Sequence, residues 1–143
     1  MRYGHKEMQD LFLSLGVHKG FRVKRSYNKS TQTDGVWVDR HPLYPESDII
    51  IAAIEVIASE SPKTIRGSIN LLESLAPLIP IILIHESEIS RRLRLQKKTS
   101  SEIDAFIAGR YQLVNNIINT SFLNFEVWNE NDLEYFISLY TDH

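Results

Sequence analysis

Apolar residues along this chain recur at two different intervals, and the interval changes at turn-forming residues. From His5 to Gly16, the residues Met8, Leu11, Phe12 and Leu15 repeat at helical spacing, with Gly16 placed to end the helix. Gly20 to Arg25 alternates apolar and basic residues, the pattern of a strand with one buried face. Ser26 to Thr33 is polar and aperiodic, a loop, and Asp34 to Asp39 is a short strand. The polar, two-proline stretch from Arg40 to Ser47 connects it to the longest apolar run of the chain, Asp48 to Ser59. Ser61-Pro62 starts a helix, with a serine cap and proline in the first position, and Ile65, Ile69 and Leu72 with Leu71 and Leu75 form its buried side. Pro80 to His85 is a second fully apolar strand, and strand, helix, strand in that order implies a parallel pair. Residues 101–119 form an amphipathic helix and Phe122 to Trp128 a last strand, followed by a closing helix capped by Asn131. The sum is an α/β fold: a central mixed β-sheet flanked by helices on both faces.

The run from Asp48 carries the first chemistry. Between Ile49 and Ala58 every residue is apolar except Glu55, so the strand reads as buried on both faces with a carboxylate inside it. A buried ionised carboxylate costs several kcal/mol, to order of magnitude, unless it is paired, protonated or bound to a cation. A hairpin centred near Pro45 sets Asp34 across from Val56, beside Glu55, and leaves Asp39 opposite Ile51 as the weaker partner. Two carboxylates at one end of a hairpin suit a hard divalent cation with oxygen ligands.

Composition narrows the class. At 143 residues and 43% hydrophobic content, the chain has the size of one domain, residues 1–143. It contains no cysteine, so neither a disulfide framework nor a thiolate metal site is available. No stretch has the length of a membrane span and the start lacks a secretory apolar core, so the expected setting is cytoplasmic, without a membrane partner. The net charge of −2 hides an asymmetry. Residues 1–98 hold 15 Lys/Arg against 11 Asp/Glu, whereas residues 99–143 hold 1 against 7, which suggests a basic face turned towards a polyanion.

Asp34-Gly35-Val36-Trp37, Ala53-Ile54-Glu55-Val56 and the helix from Pro62 to Ile69 together resemble the core of the PD-(D/E)XK nuclease superfamily, the restriction-endonuclease-like fold. The resemblance covers most of the chain in order of elements and roughly residues 34–70 at the residue level. It implies a metal-dependent DNA endonuclease or exonuclease, a phosphodiester hydrolase, in which Asp34 and Glu55, with the carbonyl of Val56 or Ile57, hold Mg2+ or Mn2+. The lysine that helps activate water in that superfamily would stand at position 57, which is isoleucine here. In parts of the superfamily this lysine moves to the following helix, where this chain has Lys63. A glutamate on the first helix often joins the metal, which makes Glu7 a further ligand candidate beside its plain reading as a solvated residue; Glu60 is a lesser occupant of the site. DNA is the implied partner, and many nucleases of this fold cut as homodimers.

Candidate phosphate contacts are Arg22 and Lys24, which on an edge strand serve equally to block aggregation, Arg66 on the exposed helix face, and Arg91, Arg92, Arg94, Lys97 and Lys98, five cations in eight residues. His85 at a strand end is read as structural, since no second histidine stands at zinc-ligand spacing. Two rival readings stand beside the nuclease: a catalytically inactive nuclease-fold module that binds nucleic acid or serves in assembly, and a fold whose carboxylates are merely satisfied internally.

Overall fold

The computed structural model describes residues 4–27 and 33–141. Along the chain these form α1 (His5–His18), β1 (Arg22–Lys24), β2 (Gly35–Arg40), β3 (Asp48–Ile57), α2 (Pro62–Leu75), β4 (Ile79–Ile84), α3 (Glu86–Leu95), α4 (Ser100–Ile118), β5 (Glu126–Asn129) and α5 (Glu130–Thr141). The fold is α/β, as expected: a five-stranded mixed sheet in the order β1-β2-β3-β4-β5 with helices on both faces. β1, β2 and β3 pair antiparallel, and β3, β4 and β5 run parallel. Residues 28–32 of the expected loop lie outside the described residues. Among the described residues no helix is long and apolar enough to cross a membrane.

β3 is the middle strand, and its two faces feed two cores. Ala53 and Ile57 pack with Val36 and Val38 under Ile65, Ile69 and Leu72 of α2, Ile89 and Leu93 of α3, and Ile103 and Val114 of α4. Ala52, Ile54 and Val56 point the other way, with Trp37, Leu83 and Trp128, against Met8, Phe12 and Leu15 of α1 and Leu133 of α5. Both edge strands are short, at three and four residues, which limits the unpaired backbone they present.

Local signals set most boundaries. Ser61 Oγ accepts from the Thr64 amide with Pro62 in the first turn of α2, and a full capping box links Thr99 and Glu102 at the start of α4. The cap of α5 differs from expectation: Asn129 and Asp132 exchange backbone-to-side-chain bonds of 2.8 and 3.1 Å, whereas Asn131 is exposed in the first turn. The last strand covers only Glu126–Asn129 and leaves Phe122 exposed. The hairpin register also differs. A bulge between Trp37 and Val38 sets Asp39 opposite Ile49 and Gly35 opposite Ile54, so Asp34 falls next to Glu55 itself.

Gly16 does not end α1, which runs on to His18. It is buried where the helix crosses the sheet: a Cβ there would lie 2.5 Å from the Trp37 ring and 2.8 Å from Val23. Trp37 has no room to retreat, because it stacks on Phe12 at 4.6 Å and on Phe21 at 5.9 Å, and its indole N–H donates to the Phe12 carbonyl at 2.9 Å. Helix propensity alone favours alanine over glycine by about 1 kcal/mol, while a forced contact of this kind costs about 1–3 kcal/mol. Gly16→Ala is therefore expected to destabilise the protein, and Gly67→Ala on α2, where a Cβ meets open space, to stabilise it. Urea unfolding of both variants checks this; equal signs would show that packing at Gly16 does not decide the outcome.

Candidate functional site

Asp34 and Glu55 meet at the top of the β2–β3 hairpin, and the backbone makes them neighbours. The Asp34 amide donates to Ile54 O at 3.1 Å and to Glu55 Oε2 at 3.0 Å, while Asp34 Oδ2 accepts from the Val56 amide at 2.8 Å. Asp34 thus continues the ladder with its side chain where the strand proper has ended. Its other oxygen, Oδ1, accepts from Gln9 Nε2 at 2.8 Å and lies 3.0 Å from His5 Nε2. Both partners come from the first turns of α1, four residues apart on one side of the helix. The close approach depends on Gly35, where a Cβ would lie 2.9 Å from Phe12.

Glu55 projects from the opposite side of the strand, on the α2 face, and is only 7% exposed. Its carboxyl is raised to about 9, first by burial and then by the negative, hydrogen-bonding carboxyl of Asp34. The Asp34 amide and the Ser68 hydroxyl of α2 act in the opposite direction and are outweighed. Among the described residues neither acid forms an ion pair with lysine or arginine; the one basic partner is His5.

The other candidates are placed differently. Glu7 is exposed and folds back over Gly4; two residues along the helix from His5, it is turned about 200° away from the side that reaches Asp34. Ile57 is buried in the core, and its carbonyl accepts the His85 amide at 2.8 Å. Lys63 and Arg66 are exposed on α2. Ser68 is the residue of that helix that faces Glu55, so Lys63 lies about 140° around the helix from it and about 7.5 Å back along the axis. Glu60 turns onto its own loop, accepting from the Ala58 amide at 2.9 Å and lying 3.8 Å from Arg92.

No known protein family, curated protein or solved structure matches the chain. Among the described residues no three His, Asp or Glu side chains are arranged to hold a metal ion. Two carboxylates do suffice for magnesium, which keeps several waters and is commonly held by one or two carboxylates plus substrate phosphate. The hard oxygen donors of Asp34 and Glu55 fit that pattern.

Many of the expected phosphate contacts are engaged with acids of the chain itself. Arg22 and Lys24 both pair with Asp48 across the sheet edge. The stretch from Arg91 to Lys98 is the end of α3 and the turn after it: Arg91 and Arg92 grip Glu88, holding its carboxyl down to about 2, and Lys98 lies 4.0 Å from Glu102. Arg94 donates to the Ser90 carbonyl at 3.3 Å, and Lys97 is exposed in the turn. Exposed pairs of this kind contribute about 0–1 kcal/mol each, so they yield readily to a stronger anion.

A second polar cluster closes the other parallel strands. Glu130 accepts the Glu86 and Ser87 amides at 2.9 and 2.7 Å and so caps α3 from the far end of the chain. Glu86 accepts from Tyr111 Oη and from Asn129 Nδ2. His85, 1% exposed, places Nε2 3.8 Å from Glu130 Oε2, and that nitrogen has no hydrogen-bond partner among the described residues.

Three residues of the acid site were missed in the sequence: His5, Gln9 and Ser68. His5 and Gln9 had a signal in their i, i+4 spacing beside the apolar face of α1, and Ser68 in being a small hydroxyl within the Ile65–Ile69–Leu72 stripe.

The raised Glu55 carboxyl fixes the sign of a pH effect. Below about pH 4.5 the acid is protonated folded or unfolded; between there and about 9 the native state holds a proton that the unfolded chain releases, so stability falls as pH rises. In chelator-treated protein, Glu55→Gln is expected to flatten this decline and to add on the order of 2 kcal/mol at pH 8. Denaturant unfolding across that range is the measurement, and a wild type whose stability does not fall relative to the variant would overturn the assignment.

Proposed function

We propose that Asp34 and Glu55 hold a divalent cation, Mg2+ or Mn2+, with which this protein hydrolyses DNA phosphodiester bonds in the cytoplasm. One observation carries the reading: buried Glu55 stands against the part-buried carboxylate of Asp34, and among the described residues neither forms an ion pair with lysine or arginine. A cation discharges such a pair, whereas a purely structural role would be served better by an amide. The order of elements and the short Asp34 and Glu55 motifs support the same reading through their resemblance to the PD-(D/E)XK nucleases.

A bound magnesium ion would polarise a phosphate oxygen and lower the pKa of a coordinated water. The chain's part is positioning. Gln9 and the Val56 amide fix the two oxygens of Asp34, which would orient its carboxylate for the ion. Glu55 would hold the ion as a carboxylate, kept in position by the Asp34 amide and Ser68. Lys63, at the exposed start of α2, is the candidate to orient the attacking water, and Arg66, Arg94 and Lys97 are the cations left to meet the backbone of DNA. A homodimer would present two such sites to a duplex.

A second reading, a module that binds nucleic acid or serves in assembly without turnover, is favoured by Ile57, which fills the superfamily's lysine position with a buried apolar side chain. Calorimetry with Mg2+ and Mn2+, run with a cleavage assay on duplex, single-stranded and branched DNA, separates the two. The wild type is expected to bind and cut; Asp34→Ala and Glu55→Ala, checked for folding by circular dichroism, are expected to lose at least tenfold in metal affinity and a hundredfold or more in cleavage, on the order of 3 kcal/mol. Normal cutting by either variant would remove the site assignment. Metal-independent, salt-sensitive DNA binding without cleavage would select the second reading.

A further inference from the structure

On the face of the sheet away from Glu55, a cavity of about 190 Å³ opens between α1 and α5. Its walls come from rows that the strand register lines up: Trp37 and Ile79 both align with Ala52, Ile81 pairs with Glu126, and Leu83 with Trp128. Leu15 of α1 and Phe136 of α5 complete it. Both indole N–H groups are already committed, Trp37 to the Phe12 carbonyl and Trp128 to Glu126 Oε1, each at 2.9 Å. What the walls present is therefore ring and aliphatic surface, which gives water few partners. An apolar cavity of roughly 150 Å³ is known to take up a benzene-sized molecule, so this one has room for a small aromatic ring.

Two opposite charges stand among the lining residues. Lys19, the residue that ends α1, donates to Tyr140 Oη and keeps two further N–H donors. Glu126, the first residue of β5, engages one carboxylate oxygen with Trp128. Both residues are exposed, and they form no ion pair with each other. An anion alone would be met by Glu126 with repulsion, and a cation alone by Lys19; a molecule carrying both charges meets neither penalty.

We propose that this cavity is a binding site for a small planar aromatic zwitterion, with its ring between Trp37 and Trp128, its carboxylate at Lys19 and its ammonium at Glu126. The proposal is independent of the acid pair, which lies at the opposite end of α1, with Glu55 on the other face of the sheet.

Four probes sharing one ring test it: tryptophan, indole, tryptamine and indole-3-acetate, each titrated into 15N-labelled protein. The chain has two tryptophans, so two indole N–H signals report directly on the walls. Tryptophan is expected to shift both, and to bind about fivefold or more tighter than any of the other three, a factor that corresponds to roughly 1 kcal/mol for a charge pair at an exposed mouth. Lys19→Met and Glu126→Gln are each expected to remove that advantage while leaving indole binding unchanged, and Ile79→Trp, from a half-buried position, to abolish binding of all four. The proposal is overturned if neither signal moves with any probe, if indole binds as tightly as tryptophan, or if Ile79→Trp folds and still binds.

Discussion

The structure depends on β3 being buried on both sides. A strand in which Ala52, Ala53, Ile54, Glu55, Val56 and Ile57 are all buried must be covered above and below, and that requirement alone calls for helices on both faces. α2, α3 and α4 cover one face and α1 with α5 the other. Hydrogen bonding adds the lateral constraint: β3 needs a neighbour on each edge, antiparallel β2 through a short hairpin and parallel β4 through α2. Every other element either serves one of these four contacts or packs on one that does.

Against that constraint the acid pair stands out as a cost the fold carries. Asp34 is well satisfied, because two α1 side chains and a strand amide converge on it. Glu55 is not: its burial is compensated by one amide and a serine hydroxyl, and its nearest charged neighbour has the same sign. α1 fixes the charged neighbour in place: it seats closely on Trp37 through its own Gly16 and on the hairpin at Gly35, and any lift of the helix would withdraw His5 and Gln9 from Asp34. Packing on one face of the sheet thereby sets the electrostatics at its upper end.

The sequence made the apolar architecture legible because burial leaves a periodic trace. The β3 run, the Ser61-Pro62 start of α2 and the apolar β4 stretch each appear where their patterns place them. The neighbourhood of Asp34 and Glu55 was legible for a related reason, since an antiparallel hairpin brings the far ends of its two strands together even when the register slips by a residue. What periodicity does not encode came out differently. A bulge at Trp37 shifts the pairing by a residue without changing the apolar pattern, and Gly16 serves a close helix-to-sheet contact that looks the same in sequence as a helix stop. The cap by Asn129 in place of Asn131 turned on which of two equivalent side chains the end of β5 presents. Polar partners brought by distant elements, His5 and Gln9 to Asp34 and Ser68 to Glu55, follow from tertiary packing. So does the local pairing of most basic residues near Arg91, which composition read as free charge.

The cap on α3 carries a consequence of a different kind. Glu130, which accepts the first amides of that helix, follows Glu86 by 44 residues. No nearer side chain takes this role, since His85 at the cap position makes no side-chain capping bond. In a chain emerging from its amino-terminal end, α3 is therefore synthesised with bare amides, and α4 and β5 are both made before Glu130. The third helix thus receives its N-terminal partner only from the residue that follows the outermost parallel strand, which ties that strand's end to the start of α3.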